Sequence, residues 1–91
     1  MGGIVAVITK IMPASPDTNL RLIEKEAQAT MEDNGAKNVS FQEEPIAFGL
    51  KAIIVMFGWP EEKELESLEK EFSKIENVNS VQLVDMRRAI G

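Results

Sequence analysis

Ile4-Val5-Ala6-Val7-Ile8-Thr9-Lys10-Ile11-Met12 is β-branched and almost continuously apolar, the pattern of a strand in the middle of a sheet. A second run of the same character, Leu50-Lys51-Ala52-Ile53-Ile54-Val55-Met56-Phe57, lies past the midpoint of the chain. The remaining elements fall into place around these two. Pro13 and Pro16 stop the first run. Ser15 or Asp17 is suited to cap a following helix, with Pro16 tolerated in its first turn. Leu20, Ile23, Ala27 and Met31 then recur at three- and four-residue spacing and give one apolar stripe, and Asn34-Gly35 closes the helix. Val39 and Phe41 alternate with polar Asn38, Ser40 and Gln42, as in a half-exposed strand. After Phe57, Gly58-Trp59-Pro60 breaks the strand, with Trp59 read as packing at the start of the next helix and Pro60 in its first turn. That second helix presents Leu65, Leu68, Phe72 and Ile75 on one face. Glu61, Glu62 and Glu64 lie near its N-terminus and Lys70 and Lys74 near its C-terminus, both complementing the helix dipole. Val78, Val81, Leu83 and Val84 mark a last strand running to Arg87.

The order strand, helix, strand, strand, helix, strand predicts one α+β domain over residues 1–91. Two one-faced helices and two apolar strands flanked by two more polar ones predict a ferredoxin-like βαββαβ sandwich. Its four-stranded antiparallel sheet would carry both helices on one face. The first and third strands are expected in the centre, and right-handed crossovers are expected to set them side by side and parallel.

The chain has no Cys and no His and a formal net charge of −5. Disulfides, thiolate chemistry, most structural zinc and imidazole acid–base catalysis are thereby excluded, so conventional enzyme chemistry is not expected. No cofactor or metal site is expected; the acidic stretch Glu61–Glu71 lacks the spacing of a metal loop and reads as a solvated helix face. The acidic balance disfavours direct nucleic-acid binding, and the central strands supply only Phe57 as a stacking aromatic. No run approaches the ~18–20 apolar residues of a membrane span, and Ile4–Met12 lacks the flanks of a signal peptide. A cytoplasmic protein, monomeric when free, is the expectation. The fold alone decides little about function.

Most functional information lies in Glu43-Glu44-Pro45-Ile46-Ala47-Phe48-Gly49-Leu50. Pro45 restricts Glu44 to extended geometry and Gly49 can adopt positive φ, so the segment reads as a connection between strands. Yet Ile46 and Phe48 stand where a solvated loop would carry polar residues. Either they fold back to close one end of the core, or they form an exposed apolar finger made to enter a partner. Arg87-Arg88 is the one local excess of positive charge; by itself it reads as a solvated strand end rather than a site.

These segments resemble archaeal translation elongation factor 1-beta, the nucleotide-exchange partner of elongation factor 1-alpha. The resemblance spans essentially the whole chain. It rests on the Met1-Gly2 start leading into an apolar strand, on Met12-Pro13-Ala14-Ser15-Pro16-Asp17, on Glu43–Leu50, and on Val84-Asp85-Met86-Arg87-Arg88. Similarity to the eukaryotic exchange factors is confined to their C-terminal domain, where Ile46–Leu50 again has a close counterpart. The resemblance implies a guanine-nucleotide exchange factor that promotes GDP release from the elongation factor 1-alpha GTPase without covalent chemistry. Phe48 matches an apolar finger inserted into the GTPase. Ile46 is a contact or the anchor that orients Phe48, and Pro45 and Gly49 fix the finger's shape. The C-terminal end is implied to approach the partner's magnesium and phosphate site. Arg88 is the best match to the cation there and Arg87 lies one place away. This chain has arginine where the eukaryotic relatives have lysine, and continues through Ala89-Ile90-Gly91. The alternative from another class is a small ferredoxin-like regulatory or oligomerisation domain that binds a small ligand.

Overall fold

The computed structural model of the chain describes residues 3–88; the Met1-Gly2 start and the Ala89-Ile90-Gly91 end lie outside them. The elements are β1 (Ile4–Pro13), α1 (Leu20–Asp33), β2 (Lys37–Pro45), a tight turn (Ala47–Gly49), β3 (Lys51–Pro60), α2 (Leu65–Ser73) and β4 (Val78–Arg88). They form one four-stranded sheet in the order β2-β3-β1-β4, which is the ferredoxin-like arrangement.

β1 and β3 are central and adjacent, as the apolar runs require. Their pairing is antiparallel rather than parallel, with Val5 opposite Trp59 and Ile11 opposite Ile53. The right-handed crossover rule governs strands joined through a helix, here β1 and β2. β3 returns from β2 through a tight connection and slots between them, antiparallel to both.

Alternation along the two central strands sends Val5, Val7, Ile11, Ile53, Val55, Phe57 and Trp59 to the helix side. There they meet Ile23, Ala27 and Met31 of α1 and Leu65, Leu68 and Phe72 of α2. Trp59 is buried edge-on to Phe57, their ring centroids 6.0 Å apart, and donates its indole N–H to the Lys63 carbonyl at 3.2 Å. It ties β3 to the approach of α2, the packing role expected of it. Phe57 therefore faces the core and gives the open sheet face no stacking aromatic. That open face carries half-buried Ile4, Ile8, Met12, Ile54 and Met56.

Several boundaries differ from the sequence expectation. The cap of α1 is Asn19, whose side-chain oxygen accepts from the Arg21 N–H at 3.1 Å. Ser15 is engaged instead in a turn with Thr18, its N–H donating to the Thr18 hydroxyl at 3.2 Å, and Pro16 lies outside the helix. β3 does not break at Gly58 but runs to Pro60, because Gly58 and Trp59 still pair with Ala6 and Val5. Gly58 suits that pairing: a Cβ there would stand 3.0 Å from Ile4 Cγ2. Pro60 ends the strand rather than opening α2, which starts at Leu65 behind Glu64.

Thr9 lies in the middle of β1, fully buried, and its hydroxyl has no hydrogen-bond partner among the described residues. Burying an unpaired hydroxyl is destabilising, and valine has nearly the same shape. Thr9→Val should therefore raise unfolding stability by about 1 kcal/mol, measured by urea denaturation as a higher midpoint with an unchanged slope.

Candidate functional site

The connection between β2 and β3 is a type I′-like turn. The Leu50 N–H donates to the Ala47 carbonyl at 3.3 Å, and the Ile46 N–H to the Leu50 carbonyl at 2.8 Å. The two residues enclosed, Phe48 and Gly49, have φ values of 62° and 76°. Such turns favour Asn, Asp or Gly at both central positions. Elsewhere among the described residues, the non-glycine positions with positive φ are Asn38 and Asn77, a residue type that tolerates this region. A phenylalanine there is strained by roughly 1–2 kcal/mol.

The ring at this position stands in water. Phe48 exposes 92% of its surface, so it does not close the core. Ile46 is half-buried and sits at the root of the turn, while Pro45 pairs with Lys51 as the last rung of the β2–β3 ladder. Thus Pro45, Ile46, Phe48 and Gly49 come together as one projection in which the large apolar tip is solvent-facing. A Cβ on Gly49 would lie 3.9 Å from Pro16 Cβ. The β1–α1 turn, itself tied by the Ala14 N–H to the Asn77 carbonyl at 2.8 Å, lies beside the finger, and Pro13, Ser15 and Pro16 line a shallow cleft with Glu43, Gly49 and Lys51. Nothing in the spacing of the sequence signals that this turn and the finger are neighbours; the joint presence of Met12–Asp17 and Glu43–Leu50 among the resembling motifs is the one hint of it.

Arg87 and Arg88 are not brought to the finger. β4 runs antiparallel to β1 and ends with Arg88 opposite Val5 and Arg87 opposite Ala6. The finger lies beyond the other end of β1. Strand geometry puts roughly 26 Å between the levels of Val5 and Pro13, and the molecule's longest extent is 44 Å. Adjacent strand residues point to opposite faces. Arg88, opposite buried Val5, lies on the helix side; Arg87, opposite exposed Ala6, lies on the open face.

Each cation has a carboxylate. Arg87 Nε is 3.0 Å from Asp85 Oδ2, and Arg88 Nη2 is 2.7 Å from Glu61 Oε1. Nothing in the local sequence signals the second pair, because Glu61 comes from the β3–α2 connection. Among the described residues no cluster of three or more carboxylates could hold a metal ion, and no helix is long and apolar enough to cross a membrane.

The shape of the chain is shared with a solved structure entitled BlrP1 BLUF, at a TM-score of 0.57 and 16% identity, covering 98% of this chain and 57% of that one. At that identity the likeness speaks for the fold alone. The sequence comparisons go further. Elongation factor 1-beta of Methanothermobacter thermautotrophicus is 42% identical over 89 residues, covering 97% of this chain and 98% of its own. The protein of the same name from Methanosarcina barkeri is 40% identical over 89 residues, covering 97% of this chain and 99% of its own. The profile of the EF-1 guanine nucleotide exchange domain matches residues 6–89. An exposed aromatic finger and a cationic strand end, carried on a ferredoxin-like sheet, are thus found in a chain that belongs to the EF-1 guanine nucleotide exchange domain family.

Proposed function

We propose that this protein promotes GDP release from the GTPase elongation factor 1-alpha so that GTP can rebind, acting in the cytoplasm as a monomer and without covalent chemistry. Family membership supports the reaction. The observation that carries the site is Phe48: a strained, left-handed phenylalanine with 92% of its surface exposed. A chain that strains its backbone to expose its largest apolar loop residue gains nothing in folding from doing so. An apolar cavity in the partner supplies the compensation, and Phe48 is the anchor that fills it.

The second contact is the cationic end of β4. A guanidinium brought beside the partner's magnesium raises the energy of the nucleotide-bound complex by like-charge repulsion and competes for the phosphate and carboxylate groups that hold the ion. In this reading Phe48 supplies affinity and Arg88, with Arg87, acts on the nucleotide. Linkage limits the device: however much the factor weakens GDP, GDP weakens the factor equally. A thousandfold coupling requires about 4 kcal/mol of differential binding. The factor accelerates exchange in both directions, and the relative abundance of GTP and GDP sets its net course.

Two variants test the division of labour. Phe48→Ala should weaken binding to nucleotide-free GTPase by roughly 2–4 kcal/mol while leaving the melting temperature nearly unchanged, since the ring is already in water. A large stability loss with unaltered affinity would sink the anchor role. Replacing both Arg87 and Arg88 with Ala should leave most of that binding intact but slow fluorescent-GDP release, under saturating factor, by on the order of tenfold or more. Chelating free magnesium should partly restore the rate. Wild-type release by the double variant would leave exchange to the Phe48 side alone.

A further inference from the structure

Arg88 does not project freely off the end of the sheet. Its guanidinium reaches across the start of β1 to Glu61, which follows the last residue of β3, and the 2.7 Å contact is a charge-assisted hydrogen bond. Glu61 is itself well placed. Its N–H donates to the Gly3 carbonyl at 2.9 Å, and its side chain is 33% exposed against 75% for Arg88. The carboxylate rests directly over Gly3, where a Cβ would come within 2.9 Å of Glu61 Oε2. The absence of a side chain at Gly3 is what lets one carboxylate oxygen lie there while the other faces Arg88.

We propose that Glu61 is a positioning residue that acts as a latch on Arg88. It holds the guanidinium in the free factor, and Arg88 exchanges it for the anionic groups around the partner's magnesium on docking. This rests on the reading of Arg88 given above. While Arg88 is paired, its charge is largely cancelled at a distance, so it neither repels the partner's magnesium nor competes for its ligands. Ejection requires the pair to open. Exposed ion pairs are weak enough to do so readily, and the planar fork of arginine transfers from one carboxylate to a phosphate without change of geometry. Arg87 differs: its partner Asp85 lies on the same strand, on the open face, so it does not share the latch.

Glu61→Gln keeps the shape and removes the countercharge. It should raise kcat/KM for fluorescent-GDP release by about two- to five-fold at low ionic strength, the range expected of a surface ion pair. The gain should shrink towards unity near 1 M salt, where the screening length falls to about 3 Å. It should vanish in an Arg88→Ala background. Gly3→Ala, which displaces the carboxylate without neutralising it, should move the rate in the same direction. Glu62→Gln makes the same change in net charge one residue away and should give no gain. Equal acceleration by Glu62→Gln, an unchanged or slower rate for Glu61→Gln, or a gain that survives Arg88→Ala would each overturn the latch. If Arg88→Ala slows release and Glu61→Gln has no effect, only the latch fails. If Arg88→Ala itself exchanges at the wild-type rate, the role of Arg88 falls and the latch with it.

Discussion

The antiparallel pairing of β1 with β3 is the constraint on which the remainder of the molecule depends. It sets Val5, Val7 and Ile11 beside Trp59, Phe57 and Ile53 on one face, making the surface on which both helices close. Side chains alternate with a period of two, so a slip of one residue would send this set into water and bring Ile4, Ala6, Ile8 and Lys10 to the helices. The same register places the exposed finger and the cationic strand end. β3 begins immediately after the turn that carries Phe48, and β1 begins opposite the strand end that carries Arg87 and Arg88.

Local strain and global pairing work together at the finger. The β2–β3 ladder closes at Pro45 and Lys51, leaving a short span to reverse direction. The reversal is made with two left-handed residues, and only the second is glycine. An asparagine in place of Phe48 would relieve the backbone but remove the exposed apolar ring. The strain is held by the sheet and by the two backbone hydrogen bonds that close the turn, not by any contact of the aromatic ring itself. At the opposite end the backbone is regular strand, and placement comes from charge pairs.

The sheet order and the core were legible because Ile4–Met12 and Leu50–Phe57 are long apolar runs, and because Ile23, Ala27 and Met31 and then Leu65, Leu68 and Phe72 repeat at helical spacing. Relative strand direction was misread, since the crossover argument applies to β1 and β2 and not to their shared neighbour. Helix starts were misplaced where several cap-forming residues compete. Ser15 and Asp17 are chemically as suitable as Asn19, and only the turn between Ser15 and Thr18 decides between them. The finger's residues were legible from an apolar pair between proline and glycine, but composition did not say which way the pair faced. The left-handed turn at Phe48 answers that. The pairing of Arg88 with Glu61 was invisible because it joins residues distant in the chain, brought together only by β1 lying between their strands.

In the function proposed above, placing the finger and the cationic end at opposite ends of one hydrogen-bonded sheet makes the protein a caliper. Its jaws cannot be adjusted separately: the gap is set by the number of rungs in β1, each worth about 3.3 Å, and a twisted sheet backed by two packed helices resists stretching. Anything gripped at both jaws must present two sites at that spacing at the same moment. A partner that changes the distance between those sites as it refills with nucleotide would break one contact without having to weaken either, and release would follow from a mismatch in length rather than a loss of affinity.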